Sequence, residues 1–195
     1  LTLEEDLFWG SNVAVSRLKA LRSSIVKLLC ISQTSPLMNK ISIGEDSSIL
    51  PFKPFVTALS TSGLLPRARG NKYEEGTVDS CLYDINNNNH DQEMQKARKD
   101  VCKLIELAFS LVEDKYPSIF EKEKYFIVSS RGVYAFINIL GSLNNFLFEK
   151  GLITKVTKPD ERISEMEKYL FALLDGISNV DKEKEQNMLS LLGSS

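Results

Sequence analysis

Apolar side chains recur every three or four positions along most of this 195-residue chain, the period of helices that bury one face. Val15, Leu18, Leu21, Ile25, Val26, Leu28 and Leu29 share one face of a helix predicted over Ser11–Ile31. Arg22 falls inside that face, and Ser32–Pro36 stops the helix because proline disfavours helix at the residue before it. Asn39–Ile43 alternates like a half-buried strand, with Ile49 and Leu50 pairing back through a turn at Gly44–Ser48 as a small β hairpin. Phe52–Ser62 reads as a short helix carrying Phe55, Val56 and Leu59, closed by Gly63. A long helix over Asp91–Lys115 shows a stripe of Met94, Ala97, Val101, Leu104, Ile105, Ala108, Leu111 and Val112, with Asp91 as its N-cap.

The stretch Lys124–Gly151 predicts a brief strand at Tyr125–Val128, a Ser-Ser-Arg-Gly turn and a helix apolar almost all round. A helix of that kind needs partners on several sides and marks the centre of a domain. Asp160 is expected to cap a further helix carrying Ile163, Met166, Tyr169, Leu170 and Leu173 and ending at Gly176, and a last helix is expected from Asp181. Residues 66–91 differ in kind, with Gly70, Gly76 and the run Asn86–Asn89, and read as a mobile polar loop or insertion. The pattern predicts a mainly α fold: one multi-helix domain over residues 1–195 around a central apolar helix, with a small β hairpin or short strands.

Charge narrows the function classes. There are 24 basic and 26 acidic residues, a net charge of −2, whereas an autonomous nucleic-acid-binding domain carries a clear basic excess. Any contact with DNA must come from a local patch. Three cysteines without a Cys-x-x-Cys spacing read as reduced thiols of a cytoplasmic protein. No apolar run reaches the roughly 20 residues of a membrane span, and no signal peptide is visible. The chain opens with Leu and closes with Leu-Leu-Gly-Ser-Ser, which reads as a fragment of a longer protein.

Most familiar chemistries lack their residues. His90 is the one histidine, too few for a multi-histidine metal site, and a Ser-His-Asp or Cys-His arrangement would have to use it. Gly132, Gly141 and Gly151 are too widely spaced for a dinucleotide loop, and no Gly-Lys-Ser/Thr occurs. No catalytic residue, metal or cofactor is assigned, and the chain by itself reads as non-catalytic. Ser129, Ser130, Arg131 and Gly132 are the first candidates for binding an anion, because a helix N-terminus offers free N–H groups and Arg131 can add a bidentate contact. The competing reading is an ordinary N-cap. Arg22 is the second candidate; it pairs with an internal carboxylate, snorkels, or meets a phosphate or another domain. Arg67 and Arg69, with Lys72, form a third, offset by Glu74 and Glu75.

Three segments together resemble a known family. These are Val13–Ile31, the segment SPLMNKISIGEDSSILPFKPFVTAL (Ser35–Leu59), and KYFIVSSRGVYAFINILGSLNNFLFEKG (Lys124–Gly151). The combination is similar to the C-terminal half of bacterial DGQHR-domain proteins, which include the DndB-type proteins associated with DNA phosphorothioation. The shared motifs are hydrophobic patterns rather than catalytic signatures. The Asp-Gly-Gln-His-Arg motif of that family lies upstream and is absent here, so no family site residue carries over. The resemblance implies a region of a DNA-modification- or defence-associated regulatory protein that supports an upstream DGQHR domain and contacts the DNA backbone. Its partners would be DNA and that upstream domain or a partner protein, with no membrane. The alternative is a protein-interaction or oligomerisation module without a nucleic-acid role.

Overall fold

The structure, a computed structural model, describes residues 13–43, 50–115, 117, 127 and 129–178. Its elements follow in the order α1 (Ala14–Ile31), β1 (Ile41–Ser42), β2 (Leu50–Pro51), α2 (Phe52–Thr61), β3 (Ala68–Arg69), β4 (Lys72–Tyr73), a 3-10 turn at Thr77–Asp79, α3 (His90–Lys115), α4 (Ser130–Glu149) and α5 (Pro159–Ser178). The mainly helical class is as the periodicity predicts. Ser11 and Asn12, most of the strand expected at Tyr125–Val128 and the helix expected from Asp181 lie outside the described residues.

Helix boundaries follow local chemistry. At the end of α2, Gly63 takes φ +82, a left-handed conformation that glycine adopts without a Cβ penalty. At the end of α4, Gly151 (φ +70) donates to the Phe148 carbonyl at 2.9 Å, and Leu152 donates to Leu147, also at 2.9 Å. Those two bonds make a Schellman motif, which satisfies carbonyls the helix leaves open. Helix α5 starts with Pro159, whose fixed φ suits a first helical position. Glu161 Oε2 accepts from the Lys158 N–H at 3.4 Å, so the cap lies at Lys158 rather than at the expected Asp160. Helix α3 is likewise capped two residues early. Asn89 Oδ1 accepts from the Gln92 N–H at 3.1 Å, and Asp91 lies inside the first turn.

The expected hairpin is corrected. Strands β1 and β2 pair in parallel, Ile41 opposite Leu50 and Ser42 opposite Pro51. An antiparallel pairing through the expected turn would set Leu50 against Ser42. The parallel register instead places Ile41 and Leu50 together in the core, where both are buried, and burial of one face sets register. A true hairpin forms further on, with Ala68 opposite Tyr73 and Arg69 opposite Lys72. Gly70 occupies the first position of its two-residue turn with φ +61, the place a type II′ turn reserves for glycine.

Residues 66–91, read from composition as a mobile polar loop, carry this hairpin, the 3-10 turn and buried Cys81, Leu82 and Tyr83. The asparagine run is a chain of local turns. Asp84 Oδ1 accepts from Asn86 N–H and Asn87 Oδ1 from Asn89 N–H, both at 2.9 Å, the side-chain bonding that suits Asx residues to turns. Glu93 is buried on α3 and accepts from the Asp84 N–H (2.8 Å) and Asn87 Nδ2 (3.0 Å). Polarity in this segment therefore serves internal bonding as well as solvent.

Helix α3 packs against α1 and α5, and α4 packs against α2 and α5. The centre of the core is shared between α3 and α4. Phe109 of α3 meets Phe136 of α4 edge-on, with centroids 5.0 Å apart, and Phe55 of α2 at 6.2 Å. Helix α4 buries Val133, Phe136, Ile137, Leu140 and Leu147, while Tyr134 and Phe146 stay partly exposed, so its apolar surface is covered on one broad side. Val15 and Leu173, expected in the core stripes, are exposed at the edges of α1 and α5.

Gly141 sets how closely α4 approaches α2. A Cβ there would overlap the Ser62 carbonyl oxygen and lie 2.6 Å from its carbon. The obstacle is backbone at a helix end and cannot rotate away. Gly141→Ala is expected to destabilise the fold by about 3 kcal/mol, the upper range for overpacking. Urea unfolding followed by circular dichroism checks this; an unchanged midpoint would show that the two helices can separate freely.

Candidate functional site

Ser129 precedes α4 in an extended conformation, and its Oγ accepts from the Gly132 N–H at 3.0 Å. One orphan donor at this helix end is therefore already satisfied by the chain. Ser130 and Arg131 are exposed and Gly132 is buried. The four residues form an N-cap with the arginine at the surface.

The other sequence candidates distribute around α1, α2 and the hairpin. Arg67 is exposed, and its Nη2 donates to the Thr61 carbonyl at 2.8 Å, capping the last turn of α2, where a cation suits the negative helix end. Thr61 Oγ1 lies 3.0 Å from Asn138 Oδ1 and 3.3 Å from the Tyr134 hydroxyl. Arg67 is thereby brought beside the early turns of α4, one turn past Arg131. Arg69 is exposed on β3 directly opposite exposed Lys72. Arg22 is half-buried on α1, and its Nε is buried without an acceptor. Burial holds its guanidinium below the usual pKa. The internal carboxylate partner considered for Arg22 does not occur among the described residues.

The hairpin is fastened to the start of α1. The Val15 N–H donates to the Gly70 carbonyl at 3.1 Å. Arg17, which is buried, donates from Nη2 to the Tyr73 hydroxyl at 3.3 Å, and that hydroxyl donates to Tyr83 Oη at 3.4 Å. The tertiary fold thus joins Arg67, Arg69 and Lys72 to a helix carrying Arg17, Lys19, Arg22 and Lys27 and no acidic residue. The hairpin has a sequence signal, the Gly-Asn pair at 70–71, which favours a two-residue turn. Its docking onto α1 has none.

The most buried charge among the described residues lies elsewhere and escaped the sequence reading. Arg162 on α5 is fully buried. Its Nε donates to the Thr157 carbonyl at 2.8 Å, Nη1 to Asn144 Oδ1 at 2.5 Å and Nη2 to the Thr154 carbonyl at 2.6 Å. Asn144 in turn donates from Nδ2 to the Ser80 carbonyl at 2.7 Å, and Ser80 Oγ bonds Asn145 Oδ1. Burial lowers the Arg162 pKa and the nearby Asp100 charge opposes that shift. Every contact is to a carbonyl or amide of the fold itself, so this is a structural clamp rather than a ligand site. A sequence signal existed only in retrospect: Arg162 precedes Ile163 at the start of the α5 stripe, where a solvated arginine looks the same.

The cysteines behave as small core residues. Cys81 lies 3.0 Å from the Thr77 carbonyl and 3.3 Å from that of Gly63, and burial pushes its thiol up from 9.0 to about 12. Burial, with the charge of buried Glu106 beside it, also pushes the Cys102 thiol up. Both are poor thiolates, the reverse of a nucleophile's requirement. His90, expected in an exposed loop, is half-buried as the first residue of α3. No group of three metal-ligating side chains occurs among the described residues, and no described helix is long and apolar enough to cross a membrane. No family model matches this chain, and neither does any curated protein or solved structure.

Arg162→Ala is expected to cost about 3–5 kcal/mol, because it strands the carbonyls of Thr154 and Thr157 and the Asn144 amide in the interior. Arg162→Lys should recover little, since one ammonium lacks the planar fork. Denaturant titration of both variants checks this, and wild-type stability in either would show that water replaces the clamp. The cysteine shift also has a sign. Below pH 9 folded and unfolded chains both hold the Cys81 proton. Between pH 9 and about 12 the unfolded chain releases it first, so stability falls as pH rises. The Cys81→Ala variant should show a shallower decline in urea midpoint across that window; equal slopes would mean the thiol titrates alike in both states.

Proposed function

We propose that this chain is the non-catalytic helical region of a DNA-modification- or defence-associated regulator, supporting a DGQHR-type domain and contacting the DNA backbone. The observation that carries the DNA contact is charge segregation. The chain has a net charge of −2, yet α1 carries four basic and no acidic residues, and the basic hairpin is docked on its first turn. A local positive surface within a near-neutral chain suits backbone contact without sequence readout. The supporting role draws on the interior. Arg162, Glu93 and Asn144 turn their polar atoms inward, onto backbone and neighbouring helices. The segments that resemble the DGQHR family contribute α1, α2 and α4, and α2 packs on both of the others.

A second reading, a protein-interaction module, is favoured by exposed Phe146, Leu152 and Val156 around the α4–α5 connection, Val156 being 87% exposed. Binding to duplex DNA separates the two. Fluorescence anisotropy at low and moderate salt, with unmodified and phosphorothioated duplexes, should show binding that weakens steeply with salt. No binding at low salt would remove DNA contact from this region and leave the interaction reading.

A further inference from the structure

We infer that α1 and the β3–β4 hairpin form one surface for the phosphate backbone of nucleic acid, and that the Ser129–Gly132 helix start does not. This rests on the DNA-contacting reading above and gives it a location. The hairpin turn abuts the first turn of α1 through the Val15–Gly70 bond of 3.1 Å and the Arg17–Tyr73 bond of 3.3 Å. Val15, Lys19 and Arg22 follow at helical i, i+4 and i+7 spacing along one stripe. At 1.5 Å rise per residue they span about 10 Å. Lys19 is exposed.

Arg69 and Lys72 face each other across the hairpin. Like charges in that position repel, and an anion held between them would relieve the repulsion. Both side chains are exposed, and Arg22 Nε is buried without an acceptor among the described residues. Ala68 and Tyr73, the other pair of the hairpin, pack against the core, so the two cations occupy the opposite side. Glu74 and Glu75 follow β4 and offset part of the charge of Arg67, Arg69 and Lys72. The excess therefore lies toward the turn, beside α1. A helix of one charge sign suits a polymer of one sign, and duplex DNA carries a charge for about every 1.7 Å of its axis. Arginine adds a planar fork that matches phosphate oxygens. At Ser129–Gly132, by contrast, the serine hydroxyl already takes the Gly132 N–H.

The test uses the 195-residue chain, a mixed-sequence duplex and a salt series read by anisotropy. Three variants are compared: Arg69→Ala with Lys72→Ala, Arg22→Met, which keeps an apolar stem, and Arg131→Ala. Thermal melting confirms that each folds, and a second hairpin variant, Arg69→Gln with Lys72→Gln, replaces the alanine pair if that one melts early. The double variant should bind at least roughly tenfold more weakly and reduce the slope of log affinity against log salt by about two. Arg22→Met should weaken binding with a smaller slope change, and Arg131→Ala should leave it unchanged. Parental binding that survives the hairpin change overturns this surface while the DNA-contacting reading stands. A loss confined to Arg131→Ala moves the contact to α4 and also overturns it. Absence of binding by the parent chain overturns both. Competition by poly-glutamate as effective as that by duplex DNA would mean an acidic protein is the occupant, and would overturn the assignment to phosphate.

Discussion

Arg162 is the constraint around which the C-terminal half is arranged. A guanidinium carries five donors and a charge that cannot be discarded at any ordinary pH, so burying it obliges the surrounding chain to supply acceptors. Three come from two places: the Thr154 and Thr157 carbonyls of the α4–α5 connection and Asn144 on α4. Asn144 passes the connection to Ser80, in the segment after the hairpin. One side chain on α5 thereby joins α4, the α4–α5 connection and residues 66–91. No carboxylate among the described residues touches it, and the charge is held by carbonyl dipoles. Such an arrangement tolerates little displacement, because a buried donor or acceptor without a partner is expensive.

The same logic recurs at smaller scale. Glu93 holds the asparagine turns onto α3 by accepting from Asp84 and Asn87. Glu106, also buried, accepts from Thr34 at 3.2 Å and ties the chain after α1 to α3. Between these polar ties the core is filled by aromatic and aliphatic contacts through Phe109, which reaches both α2 and α4. Gly141 lets α4 lie against the Ser62 backbone. The buried polar groups and the close helix contact are complementary: the first set which segments meet, the second sets how near they come.

The basic residues were visible in the sequence as separate groups, one on a helix and one in a polar stretch. Their relation was not. Arg22 within an apolar stripe reads equally as a snorkelling or paired side chain, and Glu74 and Glu75 appear to cancel Arg67, Arg69 and Lys72 when charge is summed along the chain. Summation along the chain misses the docking onto α1, although Glu74, opposite Arg67 in the hairpin, still offsets part of the charge. The hairpin orients Arg69 and Lys72 to one side and its docking sets that turn beside an acid-free helix. Ser129, conversely, was legible as a cap because capping depends on residues three apart.

The sequence by itself determined the helices, for a physical reason: apolar spacing and cap chemistry act within a few residues, so α1–α5 and the glycine stops at 63 and 151 follow from neighbours. Tertiary structure alone decided the parallel pairing of Ile41 with Leu50, the order in residues 66–91, the burial of Arg162 and the meeting of the hairpin with α1. Each of these depends at least in part on a partner 9 or more residues away, as far as 64 for Asn144 and Ser80, and nothing in a local pattern distinguishes a polar side chain that faces water from one that holds another segment in place.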